Sequence, residues 1–132
     1  MLEVSLPHTV RAPGIARRSL ADWLGSAVDA DQLGAARLLA SELVTNAVVH
    51  GHGGITLRAT LDEDRLLVEV IDEGDGFERT VRQHDFAGIG GRGLSIVDAE
   101  SSRWGIHEGT THVWFELERP GPRLGTAGKP AA

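Results

Sequence analysis

The stretch Ile55-Thr-Leu-Arg-Ala-Thr-Leu-Asp-Glu-Asp-Arg-Leu-Leu-Val-Glu-Val-Ile-Asp72 decides the fold. Ile55 to Leu61 alternates apolar and polar residues, the period of a half-buried strand. Asp62-Glu-Asp64 is an acidic turn, and Leu66 to Ile71 is a second strand rich in Leu, Val and Ile. Together they predict an antiparallel hairpin. Upstream, Ile15, Arg18, Leu20, Trp23, Leu24 and Val28 recur at helical spacing and predict a helix over 14–28, its end weakened by Gly25. Asp29 or Asp31 caps a second helix that runs to about His50, where Gly51 stops it, and Gly53-Gly54 turns the chain into the hairpin. Leu2 to Leu6 reads as an edge strand ended by Pro7.

Downstream, six glycines fall between positions 74 and 93, which predicts a long functional or disordered loop. A short helix follows over about 93–100, then a last hairpin of 104–107 and 112–118 around Gly109. The order β-α-α-β-β-loop-α-β-β predicts an α+β two-layer sandwich. Its sheet is expected to be mixed but mostly antiparallel, with one parallel pair made through the central helical return and with helices on one face.

The chain has 132 residues and 14.1 kDa, the size of one domain. No apolar run approaches the roughly 18 residues that span a bilayer, and the start lacks the pattern of a signal peptide, so no membrane association and a cytoplasmic location are expected. Cysteine is absent, which removes disulfides and thiolate chemistry. Of 13 basic residues only Lys129 is a lysine. A Walker-A loop and a eukaryote-type kinase each place a lysine on the phosphates, and neither is present before position 129; Schiff-base chemistry is disfavoured for the same reason. Residues 119–132, rich in Pro, Gly and Ala, read as a disordered tail. The body over 1–118 then holds 10 of the 13 basic residues against all 19 acidic ones, a balance near −9. Without a basic stripe, direct binding of nucleic acid is not expected.

Glu42 and Asn46 are four residues apart, about 40° around a helix. The apolar stripe of that helix is Ala36, Leu39, Ala40, Leu43 and Ala47, and the pair lies on its flank. A carboxylate at the margin of a buried face suits general-base work, and an amide oxygen is a hard ligand of the kind Mg²⁺ takes. The same spacing is also common on solvated helix surfaces. Asp72 ends the second hairpin strand and opens Asp72-Glu-Gly74-Asp-Gly76. A carboxylate there can accept from an exocyclic amine such as that of adenine, and Gly74 and Gly76 let a flat ring approach the backbone; an ordinary tight turn is the alternative. An EF-hand loop from Asp72 would need glycine and glutamate at its sixth and twelfth positions, which hold Phe77 and Gln83. Gly88-Ile-Gly-Gly-Arg-Gly-Leu94 opens a helix with glycine amides that can cradle phosphates, and Arg92 adds a cation. Its G-x-G-x-x-G spacing lacks the preceding strand of a dinucleotide fold. His50 and His52 suggest no third zinc ligand, and Ser95 and Ser101 have no recognisable base.

In this order the pieces resemble the GHKL (HATPase_c) superfamily of ATP-binding domains. Glu42-Leu-Val-Thr-Asn46-Ala-Val-Val-His50 is similar to its N box, Asp72-Glu-Gly-Asp-Gly76 to its G1 box, Gly91-Arg-Gly93-Leu94 to its G2 box, and Gly109-Thr-Thr-His-Val-Trp-Phe-Glu-Leu117 to its last glycine-threonine strand. With Ala16-Arg17-Arg18 and Leu20 to Leu24, the chain resembles the stand-alone anti-sigma-factor serine/threonine kinases. The resemblance implies the Bergerat-type fold. It implies ATP with Mg²⁺: Glu42 as general base, Asn46 on the metal, Asp72 on the adenine amine with Gly74 and Gly76 beside the ring, and Gly91, Arg92, Gly93 and Leu94 at the phosphates. Residues 77–90 would be an ATP lid, and Thr110 or Thr111 would contact the adenine side. The implied partners are a sigma factor and a STAS-type anti-sigma antagonist, with a homodimer left open; the alternative is a non-catalytic ATP-binding partner-switching module.

Overall fold

A computed structural model describes residues 1–73, 97, 99–106 and 112–119. The chain runs β1 (Leu2–Leu6), α1 (Ala12–Leu24), α2 (Ala30–His50), β2 (Ile55–Leu61), β3 (Arg65–Asp72), β4 (Arg103–Ile106) and β5 (Val113–Glu118). The five strands form one sheet in the order β1-β2-β3-β5-β4. All four described pairings are antiparallel, so the parallel pair allowed for by the sequence is not among them. β4 lies on the outer side of β5 and forms an antiparallel pair with it, and β5 pairs antiparallel with β3.

The helix boundaries follow from their caps. The first helix begins at Ala12, earlier than the apolar spacing suggests, with Pro13 in its first turn, where a missing N–H costs nothing. It stops at Leu24 rather than Val28. Gly25 takes φ of 53°, a left-handed value that glycine adopts readily and that ends the helix. The second helix starts where Asp29 accepts from the Gln32 N–H at 2.7 Å. Residues 97, 99 and 100 are helical, and the remainder of the expected short helix lies outside the described residues.

The layers are held by one apolar core. Leu6, Ile55, Leu57, Ala59, Leu66, Val68, Val70, Val113, Phe115 and Leu117 point from the sheet to Leu20, Leu39, Ala40, Leu43 and Val44 of the helices. Phe115 is the largest of the fully buried side chains. The opposite sheet face carries alternating charge: Arg58 lies 3.4 Å from Glu3 and 3.8 Å from Glu69, Glu116 lies 3.7 Å from both Arg65 and Arg103, and Arg103 sits over the Trp114 ring. Such exposed pairs add little stability, but they keep that face polar. No helix among the described residues is long and apolar enough to cross a membrane.

The tail expected over 119–132 lies outside the described residues except for Arg119, which belongs to the folded unit. Its N–H donates to Asp64 O at 2.8 Å, and its guanidinium donates to Asp62 O and Ala27 O.

The β2–β3 turn carries an acid-sensitive contact. The Asp62 carboxylate accepts from the Arg65 and Asp64 N–H groups at 2.8 and 2.7 Å. These bonds, Arg65's first, hold the carboxyl below the ordinary carboxylate range. With the folded value below the unfolded one, the stabilisation is present above the unfolded value and is lost as pH falls through the folded one. Asp62→Ala is therefore expected to melt below wild type at neutral pH, with the gap closing in acid below the ordinary carboxylate range. An equal gap at both ends of a pH series of thermal melts contradicts this.

Candidate nucleotide-binding site

The only polar or charged residues buried among those described are Asn46, at 7% exposure, and Asp72, at 8%. Buried polar side chains are the informative exceptions in an apolar core, so these two make that end of the core a candidate site. Asn46 comes from α2 and Asp72 is the last residue of β3. Glu42, one turn before Asn46, is half-buried. The apolar stripe read from the sequence is buried as expected, and Val44 joins it. Because α1 and the sheet both pack on α2, the buried arc is wide enough to take in Asn46 as well.

The end of α2 rests directly on Asp72. Gly51 caps the helix, donating its N–H to Ala47 O at 2.8 Å. A Cβ on Gly51 would lie 1.9 Å from Asp72 Oδ2 and 2.6 Å from Ala47 O. Its φ of −93° suits any residue, so glycine is required here by space. The turn after the helix is folded against the same strand end. Glu73 donates its N–H to His52 O at 2.9 Å, and its carboxylate accepts from the Gly54 N–H at 2.7 Å. Gly53 adopts φ of 68° between them. From the other side, the two ring nitrogens of His8 lie 2.8 Å from Gly53 O and 2.9 Å from Val48 O.

A cavity of about 250 Å³ opens beside Asp72, lined by Ser5, Leu6, Gly54, Ile55, Thr56, Ile71 and Glu73 as well. Glu42 and Asn46 do not line it, so it borders the site from the β1 side. Along α2, Asn46 precedes Gly51 by five residues and Glu42 by nine, about 7.5 and 13.5 Å of helix axis. The three candidate side chains thus come from two elements, Glu42 and Asn46 from α2 and Asp72 from the strand end on which α2 finishes.

Gly74, Gly76, Gly91, Arg92, Gly93, Leu94, Thr110 and Thr111 lie outside the described residues, as does the expected lid over 77–90. β5 begins at Val113, opposite Val70, so the chain re-enters the sheet at the Asp72 end. Sequence reasoning missed three residues. Gly51 reads only as a helix stop, Glu73 only as part of a turn, and His8 as nothing in particular; none has a local pattern that announces a contact with a distant strand end.

Comparison with known proteins identifies the family. The family described as the histidine kinase-like ATPase domain matches residues 6–117, and the chain belongs to it. The anti-sigma F factor of Clostridium acetobutylicum is 41% identical over 46 residues, 32% of this chain and 32% of that protein. That of Thermoanaerobacter sp. (strain X514) is 45% identical over 42 residues, 29% of each. The matched stretches span about a third of these relatives. The crystal structure of the RsbU and RsbW domains of Rv1364c from Mycobacterium tuberculosis superposes with a TM-score of 0.66 at 26% identity, covering 91% of this chain and 32% of that one.

The fit of Gly51 against Asp72 gives a direct test. Gly51→Ala is expected to cost about 1–3 kcal/mol, the range for overpacking a filled site. Gly34→Ala, on the same helix with nothing within 4 Å, is the control and is expected to be neutral or stabilising by up to about 1 kcal/mol. Denaturant titration of both variants decides; equal effects contradict the close approach.

Proposed function

We propose that this chain is a cytoplasmic, ATP-binding regulator of the anti-sigma type. In this reading it is a serine/threonine protein kinase that phosphorylates a STAS-type anti-sigma antagonist and sequesters a sigma factor when unopposed. The observation that carries the reading is the arrangement of two buried polar residues, Asp72 at the end of β3 and Asn46 on α2, with half-buried Glu42 one turn further back on that helix. It suits a nucleoside triphosphate, with the base at Asp72 and the terminal phosphate near Glu42. The family match over most of the chain and the anti-sigma relatives support it.

The residues fit ATP and Mg²⁺ chemically. Asp72 offers a buried carboxylate that accepts from the adenine amine, and Gly51 and the turn over 52–54 keep it in place. Asn46 offers a buried amide oxygen, a hard ligand for Mg²⁺, which usually takes few protein ligands and shares phosphate oxygens. Bound there, the ion supplies the positive charge that a lysine supplies in other phosphoryl-transfer sites. Glu42 orients the attacking hydroxyl of the partner and takes its proton. Positioning and electrostatics carry most of phosphoryl transfer, so no covalent intermediate on this chain is needed. Gly91, Arg92, Gly93 and Leu94 complete the phosphate side, and Thr110 or Thr111 the adenine side.

A groove of about 690 Å³ between α1 and α2, lined by Arg11, Arg17 and Arg18 with exposed Val10, supports a protein partner. It places basic surface on a chain of net charge −6, and Arg17 is held by a hydrogen bond to Ser41 Oγ at 2.8 Å.

Incubation with Mg-ATP and candidate antagonists tests the proposal. Glu42→Ala is expected to slow phosphate transfer by about 100-fold or more, the scale of a lost general base, while ATP still binds. Transfer at an unchanged rate removes Glu42 from that role, and binding without transfer by wild type to any antagonist points to a non-catalytic module. Asp72→Asn replaces an acceptor oxygen with a donor amide and is expected to weaken ATP binding by roughly 1.5–3 kcal/mol. A calorimetric change below twofold contradicts the adenine role.

A further inference from the structure

His8 lies outside every motif, yet it makes two contacts that one neutral ring cannot satisfy. Nδ1 is 2.8 Å from Gly53 O and Nε2 is 2.9 Å from Val48 O. A carbonyl oxygen only accepts, and a neutral imidazole carries one N–H; the imidazolium carries two. Val48 belongs to the last turn of α2, whose final carbonyls have no partner within the helix. A cation there also meets the negative end of the helix dipole. Gly53 lies in the turn over 51–54, which touches Asp72 through Gly51 and Glu73 through Gly54.

We propose that His8 is a positioning residue of the nucleotide site: as an imidazolium it clamps the end of α2 to the following turn, fixes the surface that packs on Asp72, and so couples adenine-nucleotide affinity to protonation. The proposal rests on the nucleotide reading above. The ionisable groups on the elements around the clamp are His50 at the end of α2, His52 in the turn, and Asp72 and Glu73 at the end of β3. Glu73 is engaged with the Gly54 N–H, and none of these four is one of the two printed partners of the His8 ring. When the ring gives up a proton, one of its two carbonyl contacts is lost and the turn loosens over Asp72. Affinity is therefore higher on the acid side and falls as pH rises.

The test compares wild type with His8→Gln, whose side chain donates from one nitrogen at every pH. ADP is titrated calorimetrically at about pH 6 and about pH 8. Wild type is expected to bind ADP about fivefold more tightly than His8→Gln at the lower pH, the low end of coupling between sites, and within about twofold of it at the higher. The ratio between the two proteins cancels any pH dependence they share, that of the phosphates included. Nitrogen NMR of the wild-type ring, assigned by its loss in the variant, is expected to show both nitrogens protonated at the lower pH. An equal affinity ratio at both pH values overturns the coupling, and a singly protonated ring at the lower pH overturns the clamp. If ADP binds at neither pH while the ring is doubly protonated, the nucleotide reading fails and the coupling with it, and the clamp stands alone.

Discussion

The contact on which this structure turns is the approach of a helix end to a strand end. α2 must cover the sheet closely enough to bury Leu39, Leu43 and Val44, yet it must finish over a carboxylate. A residue with a side chain at position 51 would push the two apart, because the space is already filled by Asp72 Oδ2 and Ala47 O. Glycine resolves the conflict by subtraction. Among the described residues, the two buried polar side chains, Asn46 and Asp72, come from this helix and this strand end, and the other buried side chains are apolar.

The same division separates the two faces of the sheet. The inner face is continuous hydrocarbon from Leu6 on β1 to Leu117 on β5. The outer face carries Arg58, Glu69, Glu116 and Arg103 on four neighbouring strands, with each arginine beside a glutamate. Because strand side chains point alternately to the two faces, a slip of one residue in any pairing would bury these charges and expose the core. The register that holds the fold together thus also sets which residue stands last on β3, and so puts Asp72 in the core layer rather than on the outer face.

Most of this architecture is legible in the sequence. The period-2 alternation of 55–71 gives both strands of the central hairpin, and the Ala36–Ala47 stripe gives the buried face of α2. The parity of the strand gives the face of Asp72, which lies two residues beyond the inward-facing Leu66, Val68 and Val70 series. What escapes is any contact between residues far apart in the chain and without a repeating pattern: His8 with Val48 and Gly53, Gly51 with Asp72, Arg119 with the β2–β3 turn. Helix ends escape for a different reason. Val28 continues the apolar spacing of α1, but Gly25 has already turned the backbone, and a backbone angle overrides a side-chain rhythm. Asn46 reads as flanking because an angular estimate assumes one packing partner, whereas α2 has a helix on one side and a sheet on the other.

The two ends of the folded unit share a pole. Leu2 pairs with Ala59, near the β2–β3 turn, and Arg119 is hydrogen-bonded to that turn itself. Asp72 stands at the other end of β3, seven residues or about 23 Å away. Sequence joined at either terminus would therefore emerge at the opposite pole from Asp72, leaving that end of the sheet uncovered by it. A unit wired in this way can be carried within a longer chain without its neighbours crossing that end.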